Sequence, residues 1–505
     1  MTHNLWTQQS LQELIQTRLK GFKFIVVSNR EPFIHRYNGE QVECMQPASG
    51  MATALRPILM ASGGTWVAHG SGDADRDVVD LHNRVAVPPS RPAYTLRRVW
   101  LTKEQENGFY YGLSNEGLWP LCHITFTRPV FRPQDWEAYK ECNRIFAEAV
   151  LEEAGNQPSF VFIQDYHFCL LPRMLKEMGG KNLVIAQFWH IPWPNREVFR
   201  TFPWADELLD GLLGNDLLGF HVRSHCQNFL DLLDRTMEAK VDRERWDVTR
   251  GKHMTMVRAF PISIDFAAHD AHSRSDEVER EMAHWRQRLR LGDRLLGAGI
   301  ERMDYTKGIP DRLRALDYLF ETKPEWRERF VFVQIAVPSR SHLPSYQAVE
   351  DEVDKLVEHV NWRWGTSSWK PVILLKQHHN DTQMAALHRL TRFFIVNSLH
   401  DGMNLVSKEF IASRFDEDGV LILSRFTGAQ RELGDALAVN PFAVDETAEA
   451  IHHALAMPES ERQRRMRRMR EQVAYNNVYR WAGKILSNLL KFDLPGGNGD
   501  DDTVE

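Results

Sequence analysis

The chain is poor in cysteine. Its five cysteines (Cys44, Cys122, Cys142, Cys169, Cys226) are odd in number and scattered over 505 residues, with no C-x-x-C pair. That spacing excludes a disulfide framework and a thiolate zinc site, so reduced thiols are expected. Long apolar runs are missing as well: none reaches the roughly 20 residues a membrane helix needs. The segment from Met1 to Lys23 is too polar for a secretory leader. A cytoplasmic protein with no membrane partner is therefore expected. Charge of one sign is also scarce, since 62 Lys and Arg stand against 68 Asp and Glu, a net of −6. No global field invites nucleic acid. Neither G-x-G-x-x-G nor G-x-x-x-x-G-K-[ST] occurs, which argues against a nicotinamide dehydrogenase and a P-loop enzyme.

Short apolar runs alternating with helical patterns are what the chain does have. A length of 505 residues is too great for one ordinary core, and two or three domains are expected. Strands are predicted at Phe24–Val27, Phe160–Ile163, Leu183–Ala186, 216–221 and Met256–Ile264. A second series follows at 294–300, Phe330–Ala336, Val372–Leu375, 392–396 and Val420–Leu423. Two such series predict an α/β chain with two doubly wound, Rossmann-like parallel-sheet domains. The expected divisions are a helical extension over 1–22, domains over 23–270 and 271–475, a helix over 476–492 that crosses back, and a disordered tail over 493–505. In the extension, Leu11, Leu14, Ile15 and Leu19 fall on one stripe. The basic run Arg462–Arg470 reads as a solvated helix face over Met466 and Met469 rather than a nucleic-acid site.

One segment stands out: His400-Asp401-Gly402-Met403-Asn404-Leu405-Val406-Ser407-Lys408-Glu409-Phe410. It follows an apolar strand and precedes apolar residues at helical spacing, so it reads as strand, turn, helix. Gly402 permits a turn backbone that other residues resist. Asn404 suits the N-cap of a helix starting near Leu405. The N–H groups of such a helix start suit a diphosphate, and Glu409, one turn in, suits sugar or ribose hydroxyls. Taken alone, Asp401-Gly402 is better read as a tight turn and Glu409 as a solvated residue.

Other chemistry-bearing residues cluster at strand ends, where open α/β sheets bind ligands. Arg30 ends the first strand, and Gly50 sits in a turn before a helix. Asp165 and His190, the latter followed by Ile191, end neighbouring strands. Arg302 and Lys307 follow the first strand of the second series, where cations would neutralise a leaving diphosphate. Arg340 and His379 follow the next two. Tyr110 and Trp119 suit stacking on a sugar, although most such aromatics are core residues.

The eleven-residue segment, with Val-Ser-Asn-Arg30, Thr306-Lys307-Gly308-Ile309-Pro310 and Pro-Ser-Arg340, resembles the trehalose-6-phosphate synthase family. These are retaining transferases of glycosyltransferase family 20 with the GT-B fold, two Rossmann-like domains facing across a cleft. The resemblance runs from about Phe24 to Leu489. It implies transfer of glucose from a nucleotide-glucose donor to glucose-6-phosphate, giving α,α-trehalose-6-phosphate, with UDP-glucose the first choice and the base left open. It implies that Arg30 and Arg340 clamp the acceptor phosphate, that Tyr110 and Asp165 add acceptor contacts, and that Trp119 and Ile191 shape that pocket. On the donor side it implies Gly50, Arg302 and Lys307 for the diphosphate and His190, Asp401, Met403 and Asn404 for the sugar. Leu405, Val406, Ser407, Lys408 and Glu409 complete the donor set, and His379 stands where an aromatic often flanks the base. His190, Arg302, Lys307 and Asp401 are the catalytic candidates. No protein nucleophile, metal or cofactor is implied, and homo-oligomerisation is left open. Ser49-Gly50-Met51 is less glycine-rich than the family turn. Two alternatives stay open: a glucosylglycerol-phosphate synthase using ADP-glucose and glycerol-3-phosphate, and a silent homologue that binds sugar phosphate and regulates a partner.

Overall fold

The computed structural model describes residues 5–19, 21–46, 50–180 and 182–492. The chain forms two compact units, one of Met1–Ile124, Arg128–Pro261 and Tyr479–Glu505, the other of Thr125–Thr127 and Ile262–Val478. The tail after residue 492 and the turn residues 47–49 lie outside the described residues.

The strands of the first unit are β1 (Lys23–Arg30), β2 (Ile34–Asn38), β3 (Gln41–Met45), β4 (Thr65–His69), β5 (Arg84–Val87), β6 (Tyr94–Val99), β7 (Ser159–Gln164), β8 (Leu183–Phe188), β9 (Leu217–Phe220), β10 (Lys240–Asp242), β11 (Asp247–Arg250) and β12 (His253–Ala259). Ten of them form one sheet in the order β10-β11-β12-β9-β8-β7-β1-β4-β6-β5, and β2 and β3 form a separate hairpin. From β1 the chain adds β4 and β6 on one side, then returns to place β7 on the other. The strand order thus reverses between β1 and β7, the kind of point at which doubly wound sheets bind ligands. Residues Phe24 to Val27 are all buried, as expected of a parallel strand covered on both faces.

The second unit holds β13 (Leu295–Arg302), β14 (Phe330–Val337), β15 (Val372–Leu375), β16 (Phe393–Val396), β17 (Val420–Ser424) and β18 (Leu437–Val439). Their order is β15-β14-β13-β16-β17-β18, with every pairing parallel. Here the reversal falls between β13 and β16. The expected α/β class with parallel sheets is what the chain adopts.

Several expected elements shift for physical reasons. The strand foreseen over Met256–Ile264 stops at Ala259, because Pro261 cannot donate to a ladder. Strand β13 runs on to Arg302, so that residue ends the strand rather than following it. Tyr110 lies on a wide, π-helical run, Asn107–Leu118, an uncommon geometry that recurs at functional sites. The stripe of the first helix, Gln8–Arg18, buries Leu11, Ile15 and Leu19 but leaves Leu14 half-exposed. The basic run lies on the helix Glu459–Tyr475 over buried Met466 and Met469. Its arginines pair with Asp418, Glu461, Glu417 and Asp270.

The core of the second unit is stacked from aromatics. Phe393 is fully buried, 6.0 Å from Phe332 and 5.7 Å from Phe330 between ring centroids. A methyl on Gly297 would sit 2.3 Å from the Phe393 ring. Phe393→Ala is expected to cost about 3–5 kcal/mol in chemical denaturation. Gly297→Ala is also expected to destabilise, by overpacking the same contact.

Candidate functional site

In the first unit the candidates gather around the reversal between β1 and β7. Arg30 ends β1 at a register shift against β4, a bulge of the kind that re-aims a side chain. Its Nη2 donates to the Tyr110 hydroxyl at 3.2 Å. Tyr110 stacks on His167 at 5.7 Å, and the π-helical run is stapled by Asn115 Nδ2 donating to the Tyr110 carbonyl at 2.7 Å. Asp165 follows β7 with φ +69, and its Oδ1 accepts the His190 backbone N–H at 3.1 Å. His190 Nε2 lies 3.0 Å from Gln164 Oε1. Burial pushes the His190 imidazole down to about 3, so it is neutral at physiological pH. Trp119 packs 4.1 Å from His123 and 6.0 Å from Tyr166, and Ile191 is buried.

Behind Arg30 lies a buried ionic cluster. Arg98, on β6, donates from Nε to Glu31 Oε2 at 2.9 Å and contacts Asp75 at 2.7 Å. Ser71 donates its N–H to Glu31 Oε1 at 2.9 Å. Burial, and then the neighbouring Asp75 carboxyl, push Glu31 up to about 8.

In the second unit the candidates surround the reversal between β13 and β16. Arg302 ends β13, and a tight turn, Tyr305–Lys307, follows. Asp304 holds that turn: its Oδ1 accepts from the Thr306 N–H and hydroxyl, both at 2.9 Å. Its Oδ2 lies 3.9 Å from Arg302 and 3.9 Å from Arg340. Burial would raise the Asp304 pKa, but Arg302, Lys307 and Arg340 outweigh it and hold the group below the usual carboxylate range. Lys307 Nζ donates to Asp401 Oδ2 at 2.7 Å. The same oxygen accepts from Ser398 Oγ at 3.3 Å and Asn404 Nδ2 at 3.4 Å. Arg340, at φ +51, donates to the Tyr346 hydroxyl at 2.7 Å.

Asn404 is the N-cap of the helix Leu405–Ser413, accepting the Ser407 N–H at 2.9 Å. Gly428 packs under the turn, where a methyl would meet the Gly402 carbonyl at 2.0 Å. The site thus offers three cations, two carboxylates and a helix start around one strand reversal, a set suited to phosphate groups.

The sequence model of Glycosyltransferase family 20 matches residues 22–491. The chain belongs to glycosyltransferase family 20. Among curated relatives, the trehalose-6-phosphate synthase of Mycolicibacterium vanbaalenii is 37% identical over 94% of this chain and 97% of its own. That of Mycolicibacterium smegmatis is 36% identical over 94% of each chain. Among solved structures, an Escherichia coli protein described as bound with UDP-2-fluoro glucose superposes with a TM-score of 0.84 at 28% identity, covering 93% of this chain and 99% of its own. A Burkholderia xenovorans α,α-trehalose-phosphate synthase in complex with glucose-6-phosphate gives 0.82 at 29%, covering 92% and 99%. The protein is a glycosyltransferase, and its architecture is the GT-B class of this family.

Within this family-20 chain the remaining expected residues take varied positions. Met403 is buried, with its carbonyl accepting the Ala429 N–H at 3.0 Å. Leu405 and Val406 open the helix. Glu409 is half-buried, and its pKa is raised mainly by burial. Lys408 is buried, and its Nζ donates to the Ile262 carbonyl at 2.8 Å and to Glu432 at 2.5 Å. His379 packs on Trp285 at 5.4 Å, with Nδ1 at 3.0 Å from the Gln377 carbonyl. Gly50 begins the helix Gly50–Ser62. Among the described residues no group of His, Cys, Asp and Glu is arranged to hold a metal ion, and no helix is long and apolar enough to cross a membrane.

Sequence reasoning passed over Asp304 and the Glu31–Asp75–Arg98 cluster. Asp304 lies between Arg302 and Lys307, but nothing in the string marks it as the anion its cationic neighbours share. A proton held more tightly by the folded chain gives stability that is complete below about pH 4.5, the ordinary Glu range, and drains away as pH rises to about 8. Glu31→Gln is therefore expected to flatten the fall in thermal midpoint between pH 5 and 8, read by calorimetry; an unchanged slope would show that Glu31 is not the group responsible.

Proposed function

We propose that this family-20 glycosyltransferase moves glucose from a nucleotide-glucose, UDP-glucose first, to glucose-6-phosphate, forming α,α-trehalose-6-phosphate with retention. The observation that carries the reading is the cation set at the β13–β16 reversal: Arg302, Lys307 and Arg340 around Asp304, with Lys307 on Asp401. The names of the curated relatives and the ligands of the two solved structures support it.

Each side chain then has a role. Arg302 and Lys307 neutralise the departing diphosphate, the largest charge developing in the reaction. Asp401, Met403, Asn404 and neutral His190 line the donor sugar, and Leu405, Val406, Ser407, Lys408 and Glu409 at the helix start hold diphosphate and ribose, with Gly50 a further diphosphate contact and His379 beside the base. Arg30 and Arg340 bind the acceptor phosphate, for which a guanidinium offers paired donors. Tyr110 and Asp165 add acceptor contacts, and Trp119 and Ile191 select its shape. The leaving phosphate oxygen takes the acceptor proton on the face of attack, so the protein supplies position and charge rather than a nucleophile. We place the enzyme in the cytoplasm, without nucleic-acid or membrane partners.

Incubation with UDP-, ADP- or GDP-glucose and either glucose-6-phosphate or glycerol-3-phosphate, read as released nucleotide, tests the reading. Turnover with glucose-6-phosphate is expected; turnover with glycerol-3-phosphate alone would overturn it. Arg302→Ala and Lys307→Ala are each expected to lose about 2–4 kcal/mol of transition-state stabilisation in kcat/KM. Arg340→Ala is expected to raise the acceptor KM while UDP binding by calorimetry stays as in the parent.

A further inference from the structure

We propose that Arg312 is a positioning residue that sets Arg302 and Lys307 in register with each other, a role that rests on the diphosphate-site reading above. Arg312 lies near the start of the helix Ile309–Thr322 and is fully buried. Its Nε donates to Asn397 Oδ1 at 2.7 Å, Nη1 to Gln334 Oε1 at 2.7 Å and Glu301 Oε2 at 2.9 Å, and Nη2 to Glu301 Oε1 at 2.6 Å. Glu301 is the residue before Arg302 on β13. Asn397 follows β16 and donates from Nδ2 to the Gly308 carbonyl at 3.0 Å, directly after Lys307. One guanidinium thus fixes the strand end that carries one cation and the turn that carries the other.

Two glycines make this arrangement possible. A methyl on Gly299 would lie 2.0 Å from Arg312 Nη1. Gly308, at φ +64, lets its backbone approach the Asn397 carbonyl, which a methyl would meet at 2.3 Å. Leu399 closes the same seam, donating its N–H to the Thr306 carbonyl at 2.8 Å. Only an arginine presents the planar fork these four acceptors require; lysine keeps the charge and loses the geometry. A buried ion pair is weak grounds for a stability role alone, because desolvation offsets much of its attraction. Its place at the strand reversal, between the two diphosphate candidates, gives it a functional one.

A double-mutant cycle tests this, with nucleotide release from UDP-glucose and glucose-6-phosphate as readout and circular dichroism as the check of folding. Arg312→Lys is expected to lower kcat about 100-fold, the scale of a displacement near 1 Å, with the acceptor KM unchanged. In a Lys307→Ala background the same substitution is expected to cost under about 3-fold, since groups acting as a unit are strongly non-additive. Equal fold losses in both backgrounds, or parental kcat in Arg312→Lys, would overturn the proposal. Should Arg312→Lys fail to fold, Asn397→Ser, which removes the acceptor for Arg312 Nε and the donor to the Gly308 carbonyl but keeps the Glu301 and Gln334 contacts, is read the same way. Lys307→Ala with parental turnover would remove the diphosphate-site reading itself, and this proposal with it.

Discussion

The contact of Lys307 Nζ with Asp401 Oδ2, at 2.7 Å and mostly buried, closes the strand reversal of the second unit. It joins the turn after β13 to the turn after β16. A lone buried cation there would be costly, and a lone buried carboxylate equally so. Each group offsets the other's charge and holds it in place. In the proposed diphosphate site the cation is thus already desolvated and held in one place, which is what electrostatic preorganisation requires. Asp304 plays the companion part for Arg302 and Arg340, 3.9 Å from each.

The first unit follows the same logic with different chemistry. Its reversal point presents one exposed arginine, Arg30, braced by a tyrosine hydroxyl and backed by the buried Glu31–Asp75–Arg98 cluster. Asp165 holds the backbone of His190 and burial keeps that imidazole neutral. The ring therefore contributes hydrogen bonds rather than charge, which suits contact with sugar hydroxyls.

How much of this was legible in the sequence depended on burial. Parallel strands covered on both faces, such as Phe24–Val27 and Phe393–Val396, read as unbroken apolar runs, although β1 runs on through the polar residues Ser28 and Asn29 to Arg30. Strand β6 was missed because Arg97 and Arg98 interrupt its apolar pattern, and Arg98 is there to hold Glu31. The hairpin of β2 and β3 was missed because its residues are mostly exposed and carry no buried period. Asn404 was recognisable as a cap because capping is local chemistry. The direction of a side chain was not: nothing in the string tells that Lys408 turns to Glu432, or that Arg340 joins Arg302 and Lys307 around Asp304, since Glu432 and Arg340 are distant in sequence from the groups they meet. The wide helical run under Tyr110 likewise leaves no mark in a pattern read at ordinary helical spacing.

A crystal structure of the chain with UDP examines the central claim most directly. The account predicts the diphosphate at the β13–β16 reversal, with Arg302 and Lys307 donating to its oxygens and the Leu405–Ser413 helix start beside it. A diphosphate bound elsewhere, with Lys307 and Arg302 remote from every phosphate oxygen, would contradict it.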